Sequence, residues 1–333
     1  MSAQVVWPES GIVLAPLAGG PSTPELVAAV SNAGGLGFLG AGYLRAEALA
    51  EQIARTHALT DAPFGVNVFV LEERRVDGDA LAAYAEELRP EAEALGVRLG
   101  EPRFEDDELD AKLAVVLDAG VAVVSTTFAL PQPALFHRLR DRGTAVWPTV
   151  TSVAEARAAA AAGADALVVQ GAEAGGHRGT WDDSEDDTPL LTLLADIARA
   201  VDVPLVAAGG IADAENVAAA FTVGARAAQA GTAFLLAPEA GTSAPHRRAL
   251  AAGGDTAVTR SFTGRRARGL VNAFMRMHPD APSAYPHVHH LTAPLRAAAR
   301  AGGDAERINL WAGTRHALAE PRPAAEIVAR LRP

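Results

Sequence analysis

Residues 203–232 read VPLVAAGGIADAENVAAAFTVGARAAQAGT. Two apolar runs, 203–208 and 225–230, flank an alanine-rich stretch, and each run is followed by glycine. Asp213 stands where a cap is needed before ENVAAAFTV, and Gly224 follows as a stop. Strand, capped helix and strand make the βαβ unit of a parallel sheet. Outward from this unit the pattern repeats. Strand-like runs occupy 12–16, 35–39, 65–70, 121–125, 145–150 and 165–170. With the first two, these make the eight strands that a closed (β/α)8 barrel of the TIM type requires.

The helices between the runs are well punctuated. Thr23 can cap a helix with Pro24 at its first position and Gly34 past its end. Ser152 and Glu155 form an S-x-x-E capping box before AEARAAAAAG, which stops at Gly163. Two regions break the alternation. In 71–110, ALAAYAEELRPEAEAL is helix-like and EPRFEDDELD is a charged loop, so the region reads as an enlarged connection after the third strand. Residues 240–305 read as helices and loops and include YPHVHH at 285–290. The expected organisation is a barrel over 1–239, a helical subdomain over 240–305 covering its mouth, and a C-terminal helical segment over 306–333 returning to the barrel.

Composition narrows the function classes. The 333 residues are 49% apolar and 21% charged, as in an ordinary globular protein with a sizeable core. The net charge of −11 and the absence of a basic block argue against nucleic acid or an anionic membrane as the main partner. The chain has no cysteine, which excludes disulfides, thiolate metal sites and a cysteine nucleophile. MSAQVVWPES does not read as a secretory signal, and no apolar run reaches the length of a membrane span. The expected location is the cytoplasm.

Barrels of this type place their chemistry at the C-terminal ends of the strands. There, Gly209 and Gly210 precede a helix N-terminus, and Gly231 and Thr232 follow the last strand. Free N–H groups and a helix dipole make such turns a phosphate cradle, although tight βα turns alone also use glycine. Asn67 and Gln170 are amides at the ends of apolar runs. The pyrimidine edge of a flavin offers them partners, and so does neighbouring backbone. His177 lies in GAEAGGHRG, close after the sixth strand, where an unperturbed pKa near ~6.5 suits proton abstraction. A loop histidine can equally be an exposed bystander. His287, His289 and His290 lack an H-E-x-x-H pattern, so no metal site is expected from them.

These pieces together resemble the nitronate monooxygenase family, formerly the 2-nitropropane dioxygenases. The matching segments are LAPLAGGPSTPELVAAVSNAGGLGFLGAGY (14–43), FGVNVF (64–69), VVQGAEAGGHRG (168–179), PLVAAGGIADAENVAAAFTVGARAAQAGTAFL (204–235), RARGLVNAFM (266–275) and INLWAGT (308–314). The resemblance implies FMN held by Asn67, Gln170, Gly175, Gly209, Gly210 and the turn Gln229, Ala230, Gly231 and Thr232. It implies His177 as the catalytic base, with Tyr285 and His287 as candidates for closing the substrate pocket. The implied reaction is oxidative denitrification of an alkyl nitronate, such as propionate 3-nitronate, with O2. A neutral nitroalkane would first lose its α-proton to His177. An NAD(P)H-dependent FMN reductase on the same barrel, of the quinone reductase or enoyl-acyl-carrier-protein reductase type, is the alternative. A non-enzymatic barrel holding a phosphorylated ligand stands behind both, and a homodimer is left open. An IMP dehydrogenase-like enzyme is set aside, because its chemistry uses a cysteine.

Overall fold

The computed structural model describes residues 6–333. Each of the eight strand-like runs forms a strand. They are β1 (Ile12–Leu14), β2 (Gly37–Gly40), β3 (Phe64–Phe69), β4 (Val123–Thr127), β5 (Ala145–Val150), β6 (Leu167–Gln170), β8 (Leu205–Ala208) and β9 (Ala225–Ala230), with β7 (Gly176–His177) lying outside this sheet. The sheet order is β1-β9-β8-β6-β5-β4-β3-β2, with every pair parallel. Leu36 N donates to Ile12 O and Leu14 N to Leu36 O, both at 3.0 Å, so the β1 and β2 edges meet and the barrel closes.

Strand alternation decides what faces the barrel interior. Along β8, Leu205 and Ala207 pack outward against helices, whereas Val206 and Ala208 point inward. The lower interior is apolar. Trp147 is fully buried there between Phe38 and Trp7, with ring centroids 5.9 and 5.2 Å away. Gly65 sits beside Phe38 because an added Cβ would come within 2.3 Å of that ring. Continuing five of the inward-facing rows upward reaches Asn67, Thr127, Thr149, Gln170 and Gln229, so much of the top layer is polar.

Most caps form as the sequence predicts. Thr23 Oγ1 accepts from Leu26 N at 3.0 Å, and Asp213 Oδ1 from Asn216 N at 2.8 Å. The capping box is half formed. Ser152 Oγ accepts from Glu155 N, but the Glu155 carboxylate turns to Thr151 N and to Trp181 N, at 2.5 and 2.8 Å. It ties two loops together instead of closing on Ser152 N. The helix-like segment 80–95 is two helices, Gly78–Glu87 and Arg89–Ala94, broken where Pro90 supplies no N–H.

Residues 240–305 hold the helices Ala244–Ala252, Ala273–Met277 and His287–Ala301, and also two strands, β10 (Thr256–Thr259) and β11 (Ala267–Leu270). The reading of this region as helices and loops missed both strands. TAVT and ARGL are short and lack clear apolar alternation. They form an antiparallel sheet in the order β10-β11-β7, with Ala267 opposite His177. The two regions that break the βα alternation pack on each other. Leu81, Tyr84 and Leu88 share one apolar cluster with Phe262, Phe274, Val288, Leu291 and Leu295. The last helix, Ala324–Leu331, buries Ile327, Val328 and Leu331 in the barrel shell, and Ala324 N donates to Glu239.

Candidate active site

A cavity of about 460 Å³ lies between the C-terminal ends of the strands and the packed outer region. Its floor holds the two amides predicted from the sequence. Asn67 Nδ2 donates to Ser125 O, Ser125 Oγ and Thr127 Oγ1, at 3.2, 2.9 and 3.0 Å. No described protein group donates to its Oδ1, which is left for a ligand donor. Gln170 is oriented from both ends. Its Oε1 accepts from Gly179 N at 2.8 Å and Arg178 Nη1 at 3.2 Å, while Nε2 donates one proton to His177 O at 3.0 Å. The second Nε2 proton remains available to the cavity.

That network explains Arg178. It is 1% exposed, and its Nη1 also donates to Gly171 O at 2.6 Å. The guanidinium therefore acts as a buttress under Gln170 and does not line the cavity. Glu173 is structural as well. Its carboxylate accepts from Leu190 N at 3.0 Å, capping the helix Leu190–Ala200.

The glycine turns line the cavity as expected. Gly209 and Gly210 have φ of +106° and +69°, which side-chain-bearing residues rarely adopt. Thr232 Oγ1 accepts from Gly313 N at 3.0 Å, tying the turn after β9 to the INLWAGT segment. Gly175 also lines the cavity, where an added Cβ would come within 2.5 Å of Ala312 and Gly313 backbone.

His177 projects from β7 into a ring of aromatic side chains. Tyr285, Trp311 and Phe128 lie 5.6, 5.6 and 5.8 Å away, centroid to centroid. Its Nε2 is 2.9 Å from Thr263 Oγ1, whose hydroxyl is 3.3 Å from Arg265 O. With the single hydroxyl proton donated to that carbonyl, Thr263 accepts from Nε2–H. In that arrangement His177 is the Nε2–H tautomer, and its Nδ1 lone pair is free. Burial, and then the guanidiniums of Arg265 and Arg296, push the His177 pKa down to about 3, so the ring is neutral near pH 7.

Two contributors to the cavity, Tyr43 and Arg296, escaped the sequence reading. Tyr43 stacks on His289 at 4.2 Å and 5°, and its hydroxyl is 3.3 Å from that of Tyr285. Arg296, only 8% exposed, donates to His289 O at 2.9 Å and Thr292 Oγ1 at 3.0 Å. Burial lowers its pKa to about 10, so it stays charged. It has no carboxylate within ion-pair distance among the described residues, and Nη1 has no protein acceptor. The signal for Arg296 was present: it lies seven residues after His289, on the same face of the helix His287–Ala301.

Three residues named by the family resemblance lie outside the lining of the main chamber. His287 does not line the cavity; its direction on the helix is about 200° from that of His289, which does. Tyr285 meets the cavity by way of the His177 ring and Tyr43 and does not line the main chamber itself. Ala230 is buried on β9, and its carbonyl accepts from Ala15 N at 2.8 Å.

Comparison with known proteins agrees with this geometry. The nitronate monooxygenase family model matches residues 6–333. A nitronate monooxygenase of Paraburkholderia phytofirmans is 40% identical, with 96% of this chain and 90% of that protein covered. A probable nitronate monooxygenase of Staphylococcus saprophyticus is 38% identical over 88% of this chain and 86% of its own. Among solved structures, nitroalkane oxidase from Streptomyces ansochromogenes superposes with a TM-score of 0.94 at 50% identity, covering 96% of this chain and 94% of that one. FabK from Thermotoga maritima superposes at 0.75 with 28% identity, over 99% and 92%. Matched by the family model over residues 6–333 and by a relative 40% identical over 96% of the chain, this closed (β/α)8 barrel is an oxidoreductase that belongs to the nitronate monooxygenase family.

Proposed function

We propose that the protein is an FMN-dependent nitronate monooxygenase. It converts alkyl nitronates, propionate 3-nitronate among them, to carbonyl compounds and nitrite or nitrate with O2. One observation carries this reading. No aspartate or glutamate is among the described residues lining the cavity, whereas Arg296, Arg300 and Arg315 are, in a chain of net charge −11. Such a chamber favours anions, here a phosphate and a nitronate.

The residues present fit FMN. Asn67 Oδ1 and the free Nε2 proton of Gln170 offer one acceptor and one donor to a flavin edge. The turns at Gly209–Gly210 and Gly231–Thr232 suit its phosphate. When bound, FMN supplies the oxidation of the nitronate and the reaction with O2. The protein's own part is binding and proton handling. Arg296 Nη1 holds an anionic oxygen. The Tyr285 hydroxyl donates to Tyr43, which leaves the Tyr43 O–H as a donor toward the cavity. His177 Nδ1 takes the α-proton of a neutral nitroalkane, and the aromatic side chains around it exclude water. A preformed nitronate needs no such step.

Anaerobic mixing tests the reading. A nitronate should bleach the bound flavin, and acid release should yield FMN. Bleaching by NADH alone would point to an NAD(P)H-dependent reductase. Arg300 and Arg315, exposed and without carboxylate partners among the described residues, could equally meet a dinucleotide's phosphates, and the bleaching experiment separates the two readings. Arg296→Met should raise KM for a nitronate by about 10- to 100-fold, through loss of a charge-assisted contact, and leave flavin content unchanged. Steady-state O2 consumption checks this, and a loss confined to kcat would count against an anion-binding role.

A further inference from the structure

The charged loop EPRFEDDELD takes no part in the reaction derived above, yet it reaches the cavity wall. Tyr43, a non-glycine residue, sits at φ +69°. Its backbone N–H donates to Asp107 Oδ1 at 3.0 Å. The other Asp107 oxygen is 2.7 Å from Lys112 Nζ, and the Lys112 side chain is fully buried. Asp107 and Glu108 are themselves left-handed, at φ +61° and +53°. Glu108 Oε2 accepts from Ala46 N at 2.9 Å, at the start of the helix Ala46–Leu59, where Arg45 supplies no side-chain cap. The loop thus grips the Tyr43 turn on both sides of Arg45.

We infer that Asp107, oriented by its buried ion pair with Lys112, is a positioning residue for the substrate wall. By holding the Tyr43 backbone left-handed, it sets the tyrosine ring against His289 and the tyrosine hydroxyl beside Tyr285. The left-handed region costs a β-carbon-bearing residue free energy, so the conformation persists only while something external fixes it. The turn is closed by Leu44 N donating to Ala41 O at 3.1 Å, and Asp107 Oδ1 is the side-chain acceptor that adds the hold on the Tyr43 N–H. The charge of Asp107 serves the pair with Lys112, and the hydrogen bond to Tyr43 N requires only an oxygen.

The two roles separate in paired variants, which also avoid leaving Lys112 buried and uncompensated. Asp107→Leu/Lys112→Met removes the ion pair together with the acceptor. Asp107→Asn/Lys112→Met removes the charges but keeps an acceptor for Tyr43 N. The first should speed amide exchange at Tyr43 and raise KM for a nitronate about tenfold, with kcat changed less than about twofold. The second should restore slow exchange and a KM within about threefold of the parent. In a Tyr43→Ala background the first pair should add nothing further to KM. The inference is overturned if both pairs behave alike, if exchange at Tyr43 does not respond, or if the effect on KM persists without the Tyr43 ring. It rests on the proposed nitronate activity only through KM. Exchange needs no turnover, so failure of the clamp and failure of the activity are distinguishable.

Discussion

His177→Asn is expected to lose about 10²- to 10⁴-fold in kcat/KM for a neutral nitroalkane, the usual worth of a positioned general base. The loss on the corresponding preformed nitronate should be far smaller, because its α-proton is already gone. Asparagine keeps a donor that can face Thr263 and offers no basic lone pair comparable to Nδ1. The pH profile supplies a second readout. Since burial and the two guanidiniums hold the imidazole pKa near 3, the base is ready at every pH at which the protein is folded. Activity on the neutral substrate should therefore show no acid limb at ~6.5, where an ordinary histidine would give one. The low pKa also limits the driving force for proton abstraction. Equal losses on both substrates, or an acid limb near ~6.5, would show that His177 works otherwise.

The barrel was legible because its signal repeats. Eight apolar runs alternate with helix-like stretches, three of them with caps readable at Thr23, Ser152 and Asp213, which leaves little room for another topology, and inward alternation carries Asn67, Gln170 and Gln229 to the rim. His177 and the glycine turns were legible for the same reason, since each follows a strand end. The outer region was not. Its strands β10 and β11 have four residues each, and their partner β7 has two, too few for a period to show. Arg296 was hidden because an arginine on an amphipathic helix is normally a solvated residue. Only the packing of Val288, Leu291 and Leu295 against Tyr84 and Phe262 turns its face inward. Tyr43 and His289 come from segments 246 residues apart, and no local pattern pairs them. The sequence could show that Asp107 is charged, but not that its carboxylate grips a turn 64 residues earlier.

The same cationic, buried design predicts strong acid lability. Burial is the leading cause that holds His177 near pKa 3, His289 near 2 and His246 near 4. In the unfolded chain each would protonate at ~6.5. Below that pH the unfolded state binds protons that the native state refuses, so stability falls with pH, and the loss continues until each folded-state pKa is reached. Each histidine costs about 3 kcal/mol at pH 4 on this basis, and together they approach the whole stability of a typical domain. Asp107 and Glu155, whose carboxyls burial raises, work in the opposite direction and offset part of the loss. Urea unfolding between pH 7 and 4 should show a steep decline beginning near ~6.5. His246→Gln should remove about one proton from the slope without touching the proposed proton acceptor. An anion bound beside Arg296 should flatten the His177 and His289 contributions, because a neighbouring negative charge lets both rings protonate in the native state. A flat profile down to pH 4.5, or an unchanged slope in His246→Gln, would mean that water reaches these rings and that the chamber is less desolvating than its burial implies.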